Sequence, residues 1–169
     1  MRIHPRWALA LVIVATVPAA LTGCASASSS GSRAVLYDSI DALAADSSAI
    51  VVGTVSEQQT DGDTTISSIE VENAPTNPQL GANVEDETET VVAVGDVVVV
   101  RQDSAPMLTP GDQYMLFLTP SMLEGDAASQ YFITGAEAGL YVRDGEEFRR
   151  VVGDSGDELP ETISVTGDE

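Results

Sequence analysis

AIVVGTVSEQQTDGDTTISSIEVE, Ala49 to Glu72, decides the class of fold. Its first half, Ala49 to Ser56, is crowded with β-branched residues, which suit a pleated, half-buried surface and lose side-chain freedom in a helix. Gly53 interrupts that run and predicts a bulge or bend. Glu57-Gln58-Gln59 turns the chain polar, and Asp61-Gly62 is a turn signal. Thr64 to Glu72 then resumes the strand pattern, so the two halves read as a hairpin.

The same period recurs downstream. Val97 to Gln102, VVVVRQ, follows Thr90 to Val94 across Gly95-Asp96, and predicts a strand buried on both faces or set in a barrel wall. Gln113 to Thr119, QYMLFLT, is apolar on both faces and predicts the most central strand. Gln130 to Thr134 and Gly139 to Arg143 read as short strands around a GAEAG turn. Asp144-Gly145 predicts a second hairpin into Glu146 to Val152. Asn73 to Thr90, with its prolines and carboxylates, reads as an exposed excursion. Upstream, Ile40, Leu43 and Ala44 fall on one helical face behind Asp38, which predicts one short helix over Tyr37 to Asp46. The expectation is therefore an all-β domain.

The run AIVVGTV, a later valine-rich strand, Pro106, Leu108, Gly111, Tyr114, Phe117 and Leu118 in the spacing PxLxxGxxYxxFL, YFITG and a closing Asp-Gly hairpin together resemble small secreted bacterial domains. That resemblance implies a small OB-like barrel with one short N-terminal helix and no assigned activity. A two-sheet β-sandwich is the alternative arrangement of the same strands.

The N-terminal stretch carries an address. MRIHPR places Arg2 and Arg6 ahead of the apolar run Trp7 to Val17, and small residues lead to Cys24, the one cysteine of the chain. A basic start, a short apolar core and a small-residue region make a secretory signal peptide. Leu21-Thr22-Gly23-Cys24 resembles the lipobox of bacterial lipoproteins. The resemblance implies cleavage between Gly23 and Cys24 and a diacylglycerol on the Cys24 thiol. Two or more acyl chains give stable attachment where one does not. The expected organisation is a signal peptide over 1–23, a flexible lipid-anchored tether over 24–33, a β-domain over 34–152 and an acidic tail over 153–169. The expected location is the extracytoplasmic face of the cell membrane.

Composition narrows the chemistry. The chain has net charge −20 and no lysine. Such acidity repels nucleic acid and anionic headgroups, so no nucleic-acid partner is expected. The lysine-free, Ala/Val-rich style is similar to that of proteins from high-GC Gram-positive bacteria, the actinobacteria. The one histidine, His4, lies in the expected signal peptide. Without it the remaining chain has no Ser-His-Asp triad and lacks the commonest zinc ligand. Absence of lysine removes Schiff-base chemistry and the P-loop. Gly153-Asp154-Ser155-Gly156 resembles the serine stretch of trypsin-like proteases but has no base, and reads as a polar turn. Asp61, Asp63, Glu85, Asp86 and Glu87 are the candidate calcium ligands, although none sits in a full EF-hand loop. No cofactor is expected.

These readings converge on a lipid-anchored extracytoplasmic domain that binds a ligand or an envelope protein partner. A carboxylate-based hydrolase, which needs two acids across a cleft, is the second expectation. A purely structural envelope lipoprotein is the third.

Overall fold

The structure, a computed structural model, describes residues 35–75 and 92–165. Eight strands form one sheet: β1 (Ala49–Asp61), β2 (Thr64–Asn73), β3 (Val97–Gln102), β4 (Gln113–Pro120), β5 (Tyr131–Ile133), β6 (Leu140–Asp144), β7 (Glu147–Arg150) and β8 (Thr162–Ile163). The strand order is β1-β2-β3-β5-β4-β6-β7-β8, and β1 also pairs with β4. That extra pairing closes β1-β2-β3-β5-β4 into a five-stranded barrel, with β3 and β5 parallel and the other barrel pairs antiparallel. The domain is a small OB-like barrel. Closure removes the open edges that a two-sheet sandwich would leave.

Gly53 explains how β1 can serve two neighbours. The register with β2 shifts between Val52 and Gly53, and again between Val55 and Glu57. These two bulges bend and twist β1, as barrel closure requires. A Cβ on Gly53 would stand 2.3 Å from the Glu70 carbonyl oxygen, so only glycine allows this approach. Gly62 opens the β1–β2 turn at φ +62, the sign a primed hairpin turn needs.

β4 is central, as its sequence predicts. One of its edges pairs with β1 over Gln113 to Leu118. Its other edge is divided: β6 takes Tyr114 to Leu116 and β5 takes Leu118 to Pro120. Tyr114, Leu116 and Leu118 enter the barrel core with Val51, Val55, Ile69, Val98 and Val100. Met115 and Phe117 face outward into a second core with Ile50, Val52, Tyr141 and Phe148. That second core is roofed by the helix α1 (Ile40–Ala45) through Leu43 and Ala44, and by Leu159. Burial on both sides is what makes β4 apolar from Tyr114 to Leu118. The helix is capped by Ser39, whose hydroxyl accepts from Ala42 N at 3.2 Å, rather than by Asp38.

Two sequence expectations need correction. Val92 to Val94 is not a strand but the approach to the Gly95 turn; Gly95 N donates to Val71 O at 2.8 Å. The expected acidic tail over 153–169 is not a tail in its described part, residues 153–165. Asp157 and Leu159 are buried, and β8 pairs with β7. Asp157 Oδ1 accepts from Tyr37 N at 2.8 Å, and Glu158 N donates to Tyr37 O at 2.9 Å. Leu159 supplies the apolar anchor that composition alone concealed. The β-domain therefore extends beyond 152.

Candidate functional site

The barrel wall is thinnest at β5. This strand has three residues, and β3 meets it only at Val100↔Tyr131 and Arg101↔Phe132. Beyond Ile133 the chain leaves the barrel through the Thr134 to Gly139 turn and returns as β6. A pocket of about 160 Å³ lies there, between the end of β3, the loop after it, and the β5–β6 turn. Ala105, Pro106, Phe132, Ile133, Ala136 and Leu140 supply apolar wall. Arg101, Gln102, Asp103, Ser104 and Glu137 supply the polar part.

Local structure holds these residues in place. Gln102 points across the barrel mouth: its Nε2 donates to Pro106 O at 2.9 Å and its Oε1 accepts from Leu108 N at 3.0 Å. This side-chain bracket fixes the loop that forms one wall. The Ala105–Pro106 bond in it is cis. On the other wall Gly135 and Ala136 have φ +61 and +54. The second is an uncommon conformation for alanine, and such backbone concentrates at binding and catalytic sites. Ala136 N donates to Ile133 O at 2.9 Å, and Gly139 N to Thr134 O at 3.0 Å, which ties the turn to the barrel.

The charged groups around the pocket do not neutralise one another. Arg101 is half-buried, and its Nη1 donates to Gln130 Oε1 at 2.9 Å. Between described residues the ion pair is Arg149–Asp144 at 2.9 Å, on the exposed β6–β7 hairpin; Arg101 takes part in none. Asp103 Oδ1 accepts from the Thr64 hydroxyl at 2.6 Å. Glu137 is half-buried. The guanidinium and these carboxylates line one pocket without meeting.

A second buried polar cluster lies under the C-terminal segment. Arg150 donates through Nη1 to Asp157 O at 3.4 Å and through Nη2 to Gly153 O, while its Nε is buried with no hydrogen-bond partner. Asp157 Oδ2 accepts from the Ser155 hydroxyl at 2.6 Å. Burial pushes the Tyr141 phenol up to about 12; Arg150 opposes that shift and Asp157 adds to it. These contacts join the segment to the second core.

The sequence-derived candidates fall elsewhere. Asp61 and Asp63 are exposed at the β1–β2 turn. Among the described residues no group of three or more His, Cys, Asp or Glu side chains converges. Glu85, Asp86 and Glu87 lie outside the described residues, as do Gly23 and Cys24. No helix among the described residues is long and apolar enough to cross a membrane. Phe132, within the expected strand Gln130 to Thr134, is half-buried and lines the pocket. Arg101 was readable only as a strand residue. Its one distinguishing signal was a cation closing a valine run in a chain without lysine. No family model matches the chain, and no curated protein matches it.

Proposed function

We propose that the chain is an extracytoplasmic binding domain, attached to the membrane through a lipid on Cys24, that takes its ligand in the pocket beside β5. The observation behind this reading is the pocket beside β5, with a preformed apolar lining and a guanidinium outside any described ion pair. Small-ligand sites are concave, mostly apolar and carry a few placed polar groups. In the OB-like architecture the β2–β3 face and neighbouring loops commonly receive the ligand, and Arg101 is the penultimate residue of β3. The test compares the full chain with Phe132→Ala, each immobilised and exposed to solubilised envelope of the parent cell. The wild type is expected to retain a component that the variant releases. Identical retained components would overturn the reading.

The anchor has its own test. Cys24→Ala is expected to lose label from a radioactive fatty acid and to accumulate as uncleaved precursor. Equal labelling of the two proteins would remove the lipid from the account.

One observation favours a second reading. Asp103 and Glu137 line the same pocket, as a carboxylate-based hydrolase requires. Size argues against it: sites for drug-sized molecules run from about 300 to 1,000 Å³, and this pocket is about 160 Å³. Turnover of a glycoside lost in both Asp103→Asn and Glu137→Gln would reverse that preference.

A further inference from the structure

Resting on the binding reading above, we infer that the pocket beside β5 takes a small apolar zwitterion, a free α-amino acid with an aliphatic side chain. Three observations meet in this ligand. The first is volume. A cavity of about 150 Å³ accommodates one benzene-sized group, and the pocket is about 160 Å³. One aliphatic side chain fills it.

The second is the pair of opposite charges. Arg101 and Glu137 both line the pocket, yet they form no ion pair with each other within 4.0 Å. Arg101 uses Nη1 on Gln130 and offers its other N–H groups to no acceptor among the described residues. A guanidinium has five donors in a fixed fork, which suits a carboxylate held by two bonds. Asp103 Oδ1 accepts from Thr64, whereas Glu137 has no side-chain hydrogen bond to a described residue, and it is the carboxylate we assign to an ammonium group. Apolar walls at Phe132, Ala136 and Leu140 stand beside these charges and receive the side chain.

The third is the field of the whole molecule. With a net charge of −20 the protein repels a simple anion at long range, and it concentrates cations over its entire surface without selecting among them. A zwitterion carries no net charge and escapes both effects. It can therefore use Arg101 despite the surrounding acidity, and its recognition depends on the local arrangement of charge.

The test uses the full chain in detergent micelles and three probes: leucine, 4-methylpentanoate, which lacks the ammonium group, and 3-methylbutylamine, which lacks the carboxylate. Affinities come from calorimetric titration, and backbone amide shifts locate the site. Leucine is expected to bind at least tenfold more tightly than either analogue and to shift amides within residues 101–106 and 132–140. Arg101→Met is expected to bring leucine down to the level of the amine, and Glu137→Gln to the level of the acid, with both variants retaining the wild-type thermal transition. Equal binding of leucine and one analogue would overturn the zwitterion and leave the pocket as a binding site. No saturable binding of any probe would overturn it too, and the Phe132→Ala comparison then decides the binding reading independently.

Discussion

At the scale of the residue, the closest constraint is steric. Gly53 has no room for a methyl group, because the Glu70 carbonyl and the Ile69 side chain already occupy the space. Gly53→Ala is expected to cost about 3 kcal/mol, the upper part of the range for forcing atoms into packed interiors. Urea denaturation gives the value directly, and a loss below about 0.5 kcal/mol would mean the bulge yields easily. Tyr141 imposes a different constraint. Its phenol ionises near 12 in the folded domain and near 10 when unfolded. The unfolded chain therefore releases this proton first as pH rises. Stability due to the buried neutral phenol is fully present below pH 10 and is lost between 10 and 12. Denaturation midpoints should fall across that window in the wild type and fall less in Tyr141→Phe, with a difference of no more than about 2 kcal/mol. Parallel curves for the two proteins would contradict the assignment.

At the scale of the element, how much could be read from the chain depended on where each signal resides. β4 was legible because residues Tyr114 to Leu118 alternately face two cores, which leaves no polar position among those five. Both hairpins were legible because Asp-Gly turn chemistry is local, and Gly53 was legible as an interruption in a β-branched run. The C-terminal segment was not. Its acidity suggested solvent, whereas its order comes from Leu159, from Asp157 on Tyr37, and from two residues paired with β7. Tyr37 lies 120 residues away in sequence. The pocket escaped for the same reason: residues 101–106, 132–133, 136–137 and 140 come together only through the pairing of β3 with β5 and the turn that follows β5. Removing residues 153–169 tests the segment's role. The shortened chain should unfold at a lower temperature and lose protection at Tyr141 and Phe148, because the roof of the second core goes with it. An unchanged transition would restore the tail. Ser39→Ala should cost about 1 kcal/mol by leaving the first turn of α1 uncapped.

At the scale of the whole molecule, charge opposes compaction. A chain of 169 residues with net charge −20 gathers like charges on folding, and the exposed Arg149–Asp144 pair offsets little of that. Raising sodium chloride from 10 to 150 mM shortens the Debye length from about 30 to about 8 Å. The melting temperature should rise with it, and a fall would show that attractive pairs dominate. The Tyr37 contacts carry a mechanical consequence. Pull arriving along the chain from its N-terminal side first meets Tyr37, whose N–H and C=O both bond to the Asp157–Glu158 stretch. A tug at that point must break two hydrogen bonds together before it reaches α1. The barrel behind is thereby spared, and the clasp works as a strain relief for the folded body.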